Sequence, residues 1–111
     1  MDKLNLLWTT TDKDTIFKVI SLYAFNSYEN KWWDDVNLII WGGSAKLIAE
    51  DRDVRNEVIE MKKTGIKIEA CKACSDSYGV TDKLLEMGLD VKYMGEPLTE
   101  YLKNGEKVLT F

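Results

Sequence analysis

Two patterns of apolar residues alternate along this chain: short continuous runs, and longer stretches with helical spacing. The run Leu4–Thr9, rich in Leu and Trp, predicts a first strand. The polar cluster Thr9-Thr10-Thr11-Asp12-Lys13-Asp14 supplies N-caps for a helix in which Ile16, Phe17, Val19, Ile20, Tyr23 and Ala24 recur at helical spacing, ending near Asn30. Val36–Trp41, apolar apart from Asn37, predicts a second strand, and so continuous a run suits a strand covered on both faces. Gly42-Gly43-Ser44 breaks it, with Ser44 placed to cap a short helix through Ala49. Asp53 is placed to cap the next helix, whose stripe is Val54, Val58, Ile59 and Met61 and whose C′ residue is Gly65. Ile66–Ala70 predicts the third strand, Thr81–Met87 a helix closed by Gly88, and Leu89–Tyr93 the fourth strand. Pro97 suits the first turn of a helix that runs to about Asn104, and Lys107–Phe111 predicts a fifth strand.

Strand and helix alternate five times, and no two successive strands are joined by a tight turn. That rhythm demands crossover connections. It predicts an α/β fold, a three-layer α/β/α sandwich around a mainly parallel five-stranded sheet with helices on both faces. The chain carries no repeat, low-complexity tract or Pro-rich linker, and its 111 residues with a 45% apolar share read as one domain, 1–111.

A net charge of −4, from 19 acidic and 15 basic residues, argues against nucleic acid as the main ligand, since phosphate recognition needs a basic surface. No stretch approaches the roughly 18 apolar residues that span a bilayer, and Met1-Asp2-Lys3-Leu4-Asn5-Leu6-Leu7 lacks the form of a signal peptide. The expected compartment is the cytoplasm, where a pair of cysteines is a reactive or redox feature rather than a permanent staple. Trp32-Trp33 cannot both be buried easily in so small a core. One is expected inside and the other at a subunit interface, whereas ordinary core packing accounts for Trp8 and Trp41.

The candidate chemistry lies in Cys71 and Cys74, the only cysteines of a chain that has no histidine. Ligands of open α/β sheets gather at the carboxyl ends of the strands, and Cys71 follows the third strand directly. A helical turn over residues 72–78 before Gly79 would set Cys71 near a helix N-terminus, where a thiolate is favoured. Lys72 would act in the same sense if its ammonium reached the sulfur, and Glu69, on the same strand face, would oppose it. The competing reading is that Cys71 is a small buried hydrophobe, as free cysteines often are. Cys74 completes a C-x-x-C pattern that suggests a redox dithiol. As a zinc signal it is weak, because four thiolates are the usual set without histidine and one chain supplies two. No metal and no cofactor are expected. Gly42-Gly43-Ser44 can cradle an anion at a helix start but reads more simply as a strand-to-helix turn, and Thr9-Thr10-Thr11 reads as turn and cap residues.

The segment Ile68-Glu69-Ala70-Cys71-Lys72-Ala73-Cys74-Ser75-Asp76-Ser77-Tyr78-Gly79-Val80 resembles the DsrE/DsrF-like family of small sulfur-relay proteins. The resemblance extends through Ile39-Ile40-Trp41-Gly42, Ser44-Ala45-Lys46-Leu47, Thr64-Gly65-Ile66 and Tyr93-Met94-Gly95-Glu96-Pro97-Leu98-Thr99-Glu100-Tyr101-Leu102, and the last segment resembles an uncharacterised DsrE-like branch. It implies a parallel five-stranded α/β/α sandwich. It also implies that the cysteine after the third strand receives sulfane sulfur as a persulfide, with a Gly and an aliphatic residue eight and nine positions later; Gly79 and Val80 stand at those positions from Cys71. The carrier role therefore falls to Cys71. Cys74 is additional, able to resolve the persulfide into a disulfide or to accept the sulfur second. Trimers or hexamers, of one chain or of related chains, are the assemblies the resemblance implies, with sulfur donor and acceptor proteins as partners.

The function expected is thus a sulfur carrier, sulfurtransferase-like in its chemistry. The alternatives are a dithiol–disulfide oxidoreductase using Cys71 and Cys74, and a non-catalytic assembly module. The carrier reading requires the Cys71 sulfur to be reachable and ionised at neutral pH.

Overall fold

Without hairpins, each strand can join its neighbour only by a crossover, and the sheet is parallel throughout. The computed structural model describes residues 2–111. Its strands are β1 (Lys3–Trp8), β2 (Asp35–Ile40), β3 (Lys67–Cys71), β4 (Asp90–Lys92) and β5 (Lys107–Thr110), in the order β4-β3-β2-β1-β5. The helical segments are α1 (Lys13–Thr15), a π-helical stretch Ile16–Ile20, α2 (Ser21–Glu29), α3 (Gly43–Glu50), α4 (Arg52–Thr64), α5 (Lys72–Tyr78), α6 (Thr81–Glu86) and α7 (Gly95–Lys103). The α/β/α sandwich expected from the sequence is the fold observed.

Strand order decides how the helices are shared between the two faces. The connections β1 to β2, β2 to β3 and β3 to β4 step in one direction across the sheet. Right-handed crossovers put everything from α1 to α6 on the same face. The last connection, from β4 to β5, steps back across the sheet, so α7 lies on the other face. On the first face Leu4, Leu6, Trp8, Val36, Leu38, Ile40 and Ala70 are buried against Ile20, Ala24, Ile48, Val58, Met61 and Leu84. A large apolar side chain withdrawn from water in this way contributes about 1.5–3 kcal/mol. The second face carries Asn5, Leu7, Asn37, Ile39, Glu69 and Cys71. It is covered by Leu98 and Tyr101 of a helix that has no fully buried residue of its own.

Several local expectations shift. Strand ends move by a residue, and Cys71 is the last residue of β3 rather than the first beyond it. Trp41 lies past the end of β2 and is half-buried in the second-face cluster. Asp51, not Asp53, caps α4: its extended backbone lets Oδ1 accept the Val54 N–H at 3.0 Å, while Asp53 is already inside the first turn. Ser44 is not a cap but a clasp within α3, its Oγ donating to the Trp8 carbonyl at 2.7 Å. The residue at the start of α3 is Gly42, whose φ of 66° with ψ of −139° is a conformation open only to glycine. Trp33 packs on the core with its indole N–H on Tyr23 Oη at 3.2 Å, while Trp32 is 55% exposed. The expected division of the tryptophan pair into an inner and an outer residue holds.

Candidate functional site

The two-residue period of β3 sets Lys67, Glu69 and Cys71 on the second face of the sheet. Cys71 then turns the chain, with φ −72° and ψ 112° at the N-cap position of α5. One helical turn later Cys74 packs against the cluster that holds Cys71, near enough for the Cys71 thiol to bear on its ionisation. The α5 helix is short because Gly79 ends it in a left-handed conformation, with φ 70° and ψ 29°. Both cysteines are free thiols.

The two sulfurs occupy different surroundings. Cys71 is 4% exposed, lodged with Ile39 and Met94 and bordered by Leu7, Trp41, Leu98 and Tyr101. The reachable thiol required by the sequence-based reading is therefore not Cys71 in this conformation; Met94, Leu98 and Tyr101 stand over it. Cys74 is half-buried, and the Gly42 N–H donates to its Sγ at 3.2 Å. Burial, and then the contact with Cys71, push the Cys74 thiol above the ordinary value, while the Gly42 amide pulls the other way. Lys72 does not reach either sulfur as its partner. Its ammonium is held by Asp76 Oδ2 at 2.7 Å, which raises its pKa, and lies 5.2 Å from the centre of the Tyr93 ring.

Glu69 is not the lone carboxylate that sequence reasoning set against a thiolate. It is fully buried, and Oε1 accepts from Asn37 Nδ2 at 2.7 Å and from Tyr101 Oη at 2.7 Å. Oε2 pairs with Lys92 Nζ at 2.6 Å and with Lys67 Nζ at 3.8 Å. Asn37 continues the chain of contacts to Asn5 Oδ1 at 2.9 Å, and Asn5 donates to Glu106 Oε1 at 3.0 Å. Burial pushes the Glu69 carboxyl up, but the bonds from Lys92, Tyr101 and Asn37 and the Lys67 charge outweigh it and hold the group below its usual value. Tyr101 is correspondingly raised, by burial first and then by its bond to Glu69. Lys92, raised by Asp90 and Glu69, occupies the β4 position directly opposite Cys71.

Sequence reasoning missed Asn5, Asn37, Lys92 and Tyr101. Its one available signal was polar: Asn5 and Asn37 each interrupt an apolar strand, and they are neighbours in register. The Thr9 hydroxyl donates to the Phe111 carbonyl at 2.8 Å, as expected of a turn residue. A hollow of about 380 Å³ beside the Gly42-Gly43 turn is lined by Thr11, Gly43, Lys46, Leu47, Glu50 and Tyr78. Two further hollows, about 420 and 360 Å³, lie at the opposite end of the sheet around Tyr28, Asp34 and Lys67, away from the thiols. Among the described residues no group of three or more Cys, Asp or Glu side chains is placed to hold a metal ion, and no helix is long and apolar enough to cross a membrane.

With thiols, turn and sheet in place, comparison with known proteins decides the family. The model of the DsrE/DsrF-like family matches residues 9–111. The chain belongs to the DsrE/DsrF-like family. A chain of closely similar structure is BT1422 from Bacteroides thetaiotaomicron, described as a conserved protein of unknown function. The two share 51% identity and a TM-score of 0.96, over 99% of this chain and 95% of that one. Two more distant structures share the DsrE-like fold. MTH1491 from Methanobacterium thermoautotrophicum is 15% identical with a TM-score of 0.76 over 100% of both chains. The ychN protein from E. coli is 17% identical with a TM-score of 0.69 over 100% of this chain and 99% of that one. A stretch of 57 residues is also 35% identical to part of the tRNA pseudouridine synthase B of Vibrio campbellii, spanning 50% of this chain but only 18% of that enzyme. Membership in the DsrE/DsrF-like family supports a sulfur-relay type of role at the level of the family.

Proposed function

We propose that this protein is a cytoplasmic sulfur carrier that holds sulfane sulfur as a persulfide on Cys71, working as an oligomer between a donor and an acceptor protein. The observation that carries the reading is a pair of adjacent free thiols at the carboxyl end of β3, in a chain of the DsrE/DsrF-like family. The chemistry needs no histidine base. A thiolate attacks the terminal sulfur of a donor persulfide, a new S–S bond forms as the donor's S–S bond breaks, and the donor leaves as a thiolate. Delivery is the same exchange in reverse, with an acceptor thiolate attacking the terminal sulfur. The apolar pocket of Ile39, Leu7, Met94 and Leu98 suits storage, since a polarizable sulfur packs well there and water has little access to it.

The test is mass spectrometry of the reduced protein after incubation with glutathione persulfide. A gain of one sulfur, absent from the Cys71→Ala/Cys74→Ser double variant, is expected. A wild-type chain that gains none overturns the carrier reading. The presence of both free cysteines in one cluster also favours a second reading, dithiol–disulfide oxidoreduction. That reading predicts a reversible Cys71–Cys74 disulfide with a defined reduction potential in glutathione buffers.

A further inference from the structure

The two thiols are unequally placed for a donor. A donor persulfide must approach within bonding distance of the attacking sulfur. Cys71, 4% exposed beneath Met94, offers it no path without movement of the β4–α7 segment. Cys74 is half-buried and packs against the same cluster of Ile39, Cys71 and Met94. Its Sγ is also the atom that the Gly42 backbone N–H addresses at 3.2 Å. A backbone N–H aimed at a sulfur favours the thiolate over the thiol, so the Gly42 amide offsets part of the burial that raises the Cys74 thiol, both when Cys74 attacks and when it later departs. The glycine-only conformation of Gly42 is what turns that amide toward the sulfur.

From these placements we infer that Cys74 is the receiving thiol and Cys71 the storage thiol, so that sulfur enters on Cys74 and moves inward. The inference rests on the carrier reading and adds an order to it. It also reverses the order the family resemblance suggests, in which Cys74 acts second. In the first step the Cys74 thiolate attacks the terminal sulfur of the donor persulfide. The Cys74 Sγ–S bond forms, the donor's S–S bond breaks, and the donor departs as a thiolate. In the second step the Cys71 thiolate attacks that same terminal sulfur. The Cys71 Sγ–S bond forms and Cys74 departs as a thiolate, taking up the proton that Cys71 gave up. No net oxidation occurs in either step, and the sulfane sulfur ends in the pocket of Ile39, Met94 and Leu98.

Lys72 lies between the two cysteines, so trypsin separates them into different peptides and each can be assayed alone. Reduced full-length protein is mixed with glutathione persulfide, sampled over time, blocked with iodoacetamide and digested. In the wild type the added sulfur is expected first on the Cys74 peptide and later on the Cys71 peptide. Cys71→Ala is expected to load Cys74 at the wild-type rate and keep the sulfur there. Cys74→Ser is expected to load Cys71 about tenfold more slowly or worse, because that sulfur must then wait for local opening. Loading of Cys71 at an unchanged rate in Cys74→Ser overturns the order and leaves the carrier reading standing. Release of sulfide with a Cys71–Cys74 disulfide as product also overturns it, since Cys71 would then have attacked the inner sulfur. A wild-type chain that takes up no sulfur removes both the carrier reading and the order.

Discussion

The two faces of the sheet are built on different principles. The face under α1–α6 is a continuous apolar core, in which the buried polar side chains are serines of the covering helices, among them Ser21 and Ser44. The face under α7 combines an apolar patch around Cys71 with a buried polar chain that runs Asn5–Asn37–Glu69–Tyr101. The first face is held by burial of apolar area, spread over many individually weak contacts. The second is held by one nine-residue helix, through Leu98 and Tyr101 and the bond from Tyr101 to Glu69. Apolar burial is thus concentrated on one side of the sheet, and Cys71 lies on the other, beneath α7.

Substitutions on the two faces should expose this contrast. Leu38→Ala on the first face is expected to lower unfolding free energy by about 2–5 kcal/mol, read from the urea midpoint, while Leu98→Ala, half-buried on α7, should cost clearly less. Equal losses would mean that both faces are equally close-packed. Glu69→Gln should cost about 1–3 kcal/mol through unpaired buried partners and should also change the acid limb of stability. The Glu69 pKa is depressed in the folded chain, so its contribution is complete above the ordinary value of 4.5 and is lost as pH falls through the lower folded value. The variant should therefore lose less stability than the wild type between pH 4.5 and the acid end of the curve. Parallel curves would sink that assignment. The smallest expected effect on stability is that of Tyr101→Phe, about 0.5–1.5 kcal/mol. It should nonetheless speed alkylation of Cys71 and leave that of Cys74 unchanged, because the hydroxyl ties α7 to Glu69. No change at Cys71 would show that α7 does not govern access.

Most of the fold was legible because hydrophobic periodicity is a property of neighbours in sequence. Val36–Trp41 announced a doubly covered strand, and Gly65, Gly79 and Gly88 announced helix ends. The errors were ones of local competition. Asp51 and Asp53 are equally good caps in isolation, and only the backbone angle at Asp51 chose between them. Cys71 and Cys74 were legible as the candidate pair, but their inequality was not. Whether a sulfur at a strand end faces solvent depends on Met94 and Tyr101, which reach it from another segment of the chain. The network around Glu69 was hidden for the same reason: its members Asn5, Asn37, Lys92 and Tyr101 are far apart in sequence and meet only through strand order.

That the final crossover runs backwards has a consequence for a chain emerging from the ribosome. The helices that seal the apolar side precede or closely follow the strands they cover, whereas α7 is made after β4, when Cys71 already exists. In that interval the Cys71 sulfur lacks the side chains of Met94, Leu98 and Tyr101 that cover it in the finished fold.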